Sequence, residues 1–240
     1  MPSSYDDLVA ARARRVPLQH LTGRVGFRRL ELAVGPGVFV PRPETEVLVG
    51  LAVAELSALA ARSESPPAPI VVDLCAGSGA VALAVADEVP CARVWAVELS
   101  DDALGYAARN VAAYGGAVRL VRGDAAADLP ELAPLAGVVD VVTCNPPYIP
   151  TGMVPIDPEV RDHDPELALY GESEDGLAVP RRMAARAAAL LRPGGLLLME
   201  HADAQGESLP AALRAQGVWA EVRDERDLAG RPRVSVARRA

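Results

Sequence analysis

The stretch Val71-Val72-Asp73-Leu74-Cys75-Ala76-Gly77-Ser78-Gly79-Ala80 decides the fold. An apolar run gives way to small residues and two glycines, so it reads as a strand feeding a tight turn and then a helix. Glycine there lets the backbone turn sharply and lets a ligand come close to the helix N-terminus. A lone Gly-x-Gly also occurs in turns that merely connect elements. The next run, Ala92-Arg93-Val94-Trp95-Ala96-Val97-Glu98, ends in a carboxylate about 20 residues further on, where an α/β sheet presents an acid to ribose hydroxyls. Glu98 has a second reading as a residue at a helix start, because Leu99-Ser100-Asp101-Asp102 carries good capping residues. After a third run, Arg122-Gly123-Asp124 supplies another acid at the same edge, suited either to an adenine amine or to capping a turn.

Outward from this stretch the pattern alternates. Strands are expected near 70 to 74, 93 to 98, 117 to 121, 138 to 144 and 195 to 200, with helices near 79 to 88, 101 to 114, 176 to 191 and 205 to 216. Such alternation predicts a mostly parallel sheet with helices on both faces. Two last extended runs, near 218 to 224 and 233 to 237, have no helix between them, so their pairing should be antiparallel and the sheet seven-stranded. Upstream, residues 62 to 69, Arg-Ser-Glu-Ser-Pro-Pro-Ala-Pro, read as a linker. Residues 1 to 19 read as a short helix ending before Pro17. From His20 to Val40, glycines punctuate runs holding Phe27, Leu30, Leu32, Val34, Val38 and Phe39, which predicts a β-hairpin or meander. An amphipathic helix carrying Val47, Leu48, Leu51 and Leu56 follows Pro41-Arg42-Pro43-Glu44-Thr45-Glu46. The expected division is a helical segment over 1 to 19, a hairpin and connecting helix over 20 to 61, and a main domain over 70 to 240.

The chemistry concentrates at Asn145-Pro146-Pro147-Tyr148, where the run Val138 to Cys144 passes into a rigid loop. This tetrapeptide suits methylation of a planar nitrogen. The lone pair of an amide or of an exocyclic base amine is delocalised, so the nitrogen attacks a methyl donor poorly unless it is held in line. The Asn145 side-chain oxygen can accept one N–H and the Pro146 carbonyl the other. Proline has no N–H, fixes its own φ and forces Asn145 into an extended conformation. Tyr148 can cover the flat face of the substrate group. A plain Pro-rich turn after a strand is the bland alternative.

Composition narrows the classes. A chain of 240 residues with 50% hydrophobic content can bury a full core. All 24 basic residues are arginine, and the formal net charge of −8 argues against a protein that grips long nucleic acid through its phosphates. Cys75, Cys91 and Cys144 lack C-x-x-C spacing, so neither a disulfide framework nor a zinc site is indicated, and His20 and His201 have no metal-ligand pattern. With no signal-like or membrane-length apolar run, a reducing cytoplasm is the expected compartment and no membrane partner is expected.

Together, Asp73 to Gly79, Glu98, Asp124 and Asn145 to Tyr148 resemble a class I S-adenosylmethionine-dependent methyltransferase of Rossmann-like fold. Further stretches narrow the likeness: Pro17 to Gly23, Phe39 to Glu46, Asp164-Pro165-Glu166-Leu167-Ala168-Leu169, Asp175-Gly176-Leu177 and Asp227-Leu228-Ala229-Gly230-Arg231-Pro232-Arg233. These resemble the protein-(glutamine-N5) methyltransferases of peptide chain release factors, the HemK/PrmC family, over residues 15 to 238. The resemblance implies S-adenosyl-L-methionine as cofactor and methyl transfer to the glutamine of the Gly-Gly-Gln loop of release factors. It also implies that Cys75, Ala76, Gly77, Ser78, Gly79, Glu98, Asp124, Ala125 and Asn145 contact the cofactor, while Asn145, Pro146, Pro147 and Tyr148 hold the glutamine amide. Cys75 stands where the family has glycine, Glu98 where it has aspartate, Ala125 where an aromatic is frequent, and Glu200-His201-Ala202 where Glu-Ile-Gly is usual. The family carries a helical domain ahead of the hairpin, and only its last helix would fit in residues 1 to 19.

No strong general base is required of such a site, because positioning can supply roughly 7 to 11 kcal/mol and the nitrogen can lose its proton late in transfer. His163 between two acids reads as a surface residue or as a base. The proline-bearing acidic loop from Ile149 to Gly171 is long for a connection and reads as a lid. Two rivals share the same residues: an adenine-N6 methyltransferase acting on nucleic acid, and a non-catalytic S-adenosylmethionine-binding relative.

Overall fold

The computed structural model describes residues 4–61 and 67–240; the expected linker falls largely outside them. The chain opens with α1 (Tyr5–Ala13), started by a reciprocal capping box in which Ser4 accepts the Asp7 amide and Asp7 accepts the Ser4 amide. A second short helix, α2 (Leu18–Thr22), follows Pro17 and stops at Gly23, whose φ of 74° is left-handed. The hairpin expected from His20 therefore begins later than the glycine spacing predicts: β1 (Arg24–Phe27) and β2 (Leu30–Ala33) pair antiparallel. Pro17 and Gly23 bracket a helical turn there, whereas as bare sequence Pro17 reads as a helix stop and Gly23 as hairpin punctuation. The front part ends in α3 (Thr45–Ala60).

The main sheet comprises β3 (Ile70–Leu74), β4 (Arg93–Glu98), β5 (Val118–Arg122), β6 (Val139–Cys144), β7 (Leu191–Glu200), β8 (Trp219–Arg226) and β9 (Pro232–Arg239). Their spatial order is β5-β4-β3-β6-β7-β9-β8. The first five run parallel, and β9 runs antiparallel to both β7 and β8, so the expected Rossmann-like α/β sheet and its antiparallel last strand are present. The helices are α4 (Ala80–Glu88), α5 (Asp101–Ala113), α6 (Pro158–His163), α7 (Ala178–Leu190) and α8 (Ser208–Ala215).

Alternation along each strand divides the core. Val71, Val94, Ala96, Val141 and Leu198 face a cluster shared with α3, α4 and the hairpin residues Phe27 and Leu32. Their neighbours Val72, Trp95, Val97, Val142 and Met199 face a second cluster with Met183, Ala187 and Leu209 of α7 and α8. The four central strands β3, β4, β6 and β7 are thus apolar on both faces, as a covered parallel sheet demands.

The strand order reverses at β3 and β6. Their registers bring Leu74 opposite both Val97 and Cys144, so the residues that follow, at Cys75, Glu98 and Asn145, share one edge of the sheet. A parallel α/β sheet opens its ligand crevice at that place.

Candidate active site

The turn after β3 is tightly wound. Cys75, Gly77 and Gly79 have φ of 63°, 58° and 81°, and Gly79 is the N-cap of α4. The left-handed conformation is uncommon for a side chain like that of Cys75, and it is sustained by the turn's hydrogen bonds from Ala76 N–H to the Val97 carbonyl and from Gly79 N–H to the Ala76 carbonyl. Glu98 ties the turn to β4: one carboxylate oxygen accepts the Gly77 N–H at 2.7 Å and the other the Ser100 N–H at 2.8 Å. Burial raises its pKa, and the amide hydrogen bonds oppose that rise. Glu98 thus supports the start of α5 and also lines the cavity described next.

A cavity of about 640 Å³ opens over this edge. Of the residues expected to meet the cofactor, Cys75, Ala76, Gly77, Ser78, Glu98, Asp124, Ala125 and Asn145 line it, and Gly79 does not. Asp124 accepts the Ala126 N–H at 2.9 Å, the turn-capping role, while keeping its place in the wall. Pro147 and Tyr148 line the cavity as well, and Pro146 lies buried between Asn145 and Pro147.

Two wall residues carry buried polar atoms without a partner in the described protein: Ser78 Oγ and Asp73 Oδ2. The other Asp73 oxygen accepts the Thr143 hydroxyl at 2.7 Å, and burial pushes the Asp73 carboxyl up to about 7. Unsatisfied polar atoms in a cavity wall are completed by a ligand or by water, so this end suits a ligand with hydroxyl and cationic donors. Asp73 has the buried side chain of a strand residue with its polar end at the crevice; its only sequence signal is its place in the strand-to-glycine stretch.

The tetrapeptide after β6 is held from several sides. Tyr148 N–H and Ile149 N–H both donate to the Leu169 carbonyl, at 3.1 and 2.8 Å. Gln205 donates to the Tyr148 and Asp175 carbonyls, each at 2.9 Å. Backbone approach is close here: a Cβ on Gly176 would collide with the Tyr148 carbonyl oxygen, and one on Gly171 with the Gly176 carbonyl. Tyr148 O–H donates toward the buried Glu200 carboxylate at 3.5 Å, and burial raises the Tyr148 pKa far above its ordinary value.

Two of the remaining quoted stretches, Phe39 to Glu46 and Asp164 to Leu169, contribute residues to the same cavity wall. Arg42 bridges to the buried Asp164 at 2.8 Å and lies over the Phe39 ring, so the segment before α3 is tied to the loop from Ile149 to Gly171. Glu44 pairs with Arg231 at 3.0 Å, which also holds Asp227. Arg42, Thr45 and Asp73 line the cavity. The two cross-links are not readable from residue spacing, because Arg42 with Asp164 and Arg231 with Glu44 join residues 122 and 187 positions apart. The long connection from Ile149 to Gly171 is more ordered than a plain loop, since it includes α6 and a 3-10 turn at Glu166–Ala168. None of His20, His163 and His201 lines the cavity; His201 is buried against Asp224 at 2.6 Å. Among the described residues no group of His, Cys, Asp and Glu is placed to hold a metal ion.

The sheet order, the glycine turn beneath a cavity and the Asn-Pro-Pro-Tyr rim define a class I methyltransferase. A family model described as "Methyltransferase domain" matches residues 71–152. Among solved structures, a methyltransferase from Pyrococcus furiosus superposes with a TM-score of 0.61 at 18% identity, covering 96% of this chain and 98% of that one. The Thermus thermophilus 16S rRNA N2 G1207 methyltransferase superposes with a TM-score of 0.59 at 19% identity, covering 90% and 50%. Closer in sequence is a release factor glutamine methyltransferase of Streptomyces coelicolor, 52% identical over 98% of this chain and 80% of its own length. One from Mycobacterium tuberculosis strain H37Rv is 45% identical over 98% and 74%. A Streptomyces pristinaespiralis protein named 4-amino-L-phenylalanine/4-methylamino-L-phenylalanine methyltransferase is 46% identical over 91% and 72%. The chain belongs to the release factor glutamine methyltransferase family.

Proposed function

We propose that this protein transfers the methyl group of S-adenosyl-L-methionine to the side-chain amide nitrogen, N5, of the glutamine in the Gly-Gly-Gln loop of a peptide chain release factor. The observation that carries the reading is the placement of Asn145-Pro146-Pro147-Tyr148 on the rim of a cavity whose floor is the glycine turn after β3. Family membership at 52% identity supports it. A substrate drawn from the translation machinery makes the cytoplasm the working compartment.

The cavity suits the cofactor. The turn from Cys75 to Gly79, with Glu98 and the Asp124-Ala125 corner, holds its nucleoside end, and Glu98 keeps lone pairs for ribose hydroxyls beyond the two amides that it already accepts. The orphaned Asp73 and Ser78 oxygens meet its polar donors. When bound, S-adenosylmethionine supplies an electrophilic methyl on a sulfonium with a neutral thioether as leaving group.

The protein's own contribution is alignment. Asn145 Oδ1 accepts one substrate N–H and the Pro146 carbonyl the other, which points the nitrogen lone pair at the methyl donor, and Tyr148 covers the planar amide. The lid, tied to Tyr148 and Ile149 at its base, keeps water out. The extra proton leaves the nitrogen late in or after transfer, so no histidine is needed in the wall.

The relative that acts on 4-amino-L-phenylalanine supplies a second reading, because an arylamine nitrogen is also planar and delocalised. Transfer of labelled methyl to a purified release factor, to its loop Gln→Ala variant, to 4-amino-L-phenylalanine and to mixed DNA and RNA separates them. Label on the factor that vanishes in the variant is the expected result. Label on the free amino acid or on nucleic acid would replace the reading.

A further inference from the structure

Thr45 is the first residue of α3, is buried, and sits in the cavity wall beside Asn145. The Asn145 side-chain NH₂ is directed to Thr45 Oγ1 at 3.5 Å. The Thr45 hydroxyl, with its own proton still to give, stands beside the carboxylate of Glu200, which ends β7, is 2% exposed and has a buried Oε2 without a hydrogen-bond partner among the described residues. Three elements far apart in sequence thus meet in a short relay: Asn145, Thr45, Glu200.

The relay has a direction. A carboxylate can only accept, and a hydroxyl has one proton to give. Thr45 therefore donates to Glu200, and its oxygen lone pairs are left to accept from Asn145. That requirement selects one of the two orientations of the Asn145 amide, with NH₂ toward Thr45 and Oδ1 away from it. In the flipped orientation two acceptors would face each other at Thr45, and an N–H donor would be offered to the N–H of the substrate. The Tyr148 hydroxyl donates to the same carboxylate, so the two polar members of the tetrapeptide are oriented from one buried anion.

We propose that Thr45 and Glu200 are positioning residues for methyl transfer, fixing the polarity of the Asn145 amide so that Oδ1 is presented to the substrate nitrogen. This rests on the functional reading above and adds to it a reason for the Pro-Arg-Pro-Glu-Thr-Glu stretch and for a buried acid at the end of β7. Around Glu200 stand Thr45 and Glu44 at the head of α3, Tyr148 from the loop after β6, Arg233 from β9 and the Cys144 thiol from β6. Burial pushes the Glu200 carboxyl up to about 7. Protonation turns it into a donor and frees Thr45 to donate toward Asn145, so the selected orientation is lost on the acid side.

The test compares Thr45→Val, Thr45→Ser, Glu200→Gln and Asn145→Ala, using the full chain, a purified release factor and titration calorimetry with S-adenosylmethionine. Thr45→Val and Glu200→Gln should each lower kcat roughly 100-fold, the scale of a misaligned reacting group. Cofactor affinity should stay within about twofold, and Thr45→Ser should restore most of the rate. The rise of wild-type kcat with pH through about 7 should be missing in Glu200→Gln. Wild-type turnover in Thr45→Val beside an inactive Asn145→Ala would overturn the relay while leaving the role of Asn145 standing. Wild-type turnover in Asn145→Ala would overturn both. A flat wild-type pH profile would remove Glu200 from the relay without recourse to any variant.

Discussion

At the scale of single residues, the proposed function assigns holding the donor and aligning the acceptor to different side chains. Asn145→Ala should cut turnover by about two orders of magnitude with little change in cofactor affinity, because its side chain bonds Thr45 rather than the glycine turn. Glu98→Ala should chiefly weaken cofactor binding, since it removes the anchor of Gly77 along with the acid at the ribose position. Calorimetry and steady-state rates on the two variants measure both effects, and unchanged affinity in Glu98→Ala would remove it from the cofactor site. Asp73 gives a pH-dependent stability. Its folded pKa is raised, by burial, to about 7, so its contribution to stability is fully present below the ordinary carboxylate range and is lost as pH rises through about 7. Thermal melts without cofactor should therefore show Asp73→Asn gaining on wild type at pH 8, with the difference closing toward acid pH. A constant difference across pH would mean that Asp73 is not neutral in the free protein. The position of Asn145 and Glu98 on the cavity wall was legible because a polar residue that ends an apolar run stands out. The contacts of Asp73, Thr45 and Glu200 were not, although the stretches holding them were, since a lone acid or hydroxyl in a strand or helix end has no pattern until its neighbours in space are known.

At the scale of elements, the strands were the most readable part. Short apolar runs bounded by glycine, proline and charge correspond to β3 through β6 within a residue or so, and a covered sheet leaves few other ways to bury them. The short helices α2 and α6 were hidden because one or two turns of helix are held by tertiary contact rather than by propensity. In α6 the holding contacts are ion pairs: Glu159 takes Arg12 at 2.7 Å and also the Arg15 guanidinium. The glycines at 171 and 176 form the seat of the loop after β6 and give a prediction at this scale. Gly176 has a φ of 71° and faces the Tyr148 carbonyl, so Gly176→Ala should lose about 1 to 3 kcal/mol of stability and also depress kcat. Urea midpoints and turnover measure the two losses. A variant of wild-type stability would mean that the loop seat yields easily.

At the scale of the molecule, the hairpin and α3 share a buried cluster with β3 and α4, and Arg238 of β9 reaches Glu55 of α3 at 3.0 Å. We propose that front and main parts unfold together, with coincident urea transitions by tryptophan fluorescence and far-ultraviolet circular dichroism. Two separated transitions would instead restore the division expected near residues 62 to 69. The lid shows a different kind of connectivity. Ile149 and Tyr170 form a bridge, Gly171 N–H donates to Ile149, and Thr151 N–H donates to Ser173, so the two ends of this long excursion are bonded to each other. Its outer stretch is open, with Ile156 97% exposed and Val154 63%. Covalent continuity should therefore be dispensable there. Brief digestion with thermolysin, which cuts ahead of such apolar side chains, should yield two polypeptides on a denaturing gel that still elute as one particle and still bind S-adenosylmethionine. The same stretch is the place to divide the gene into two separately expressed halves that reassemble.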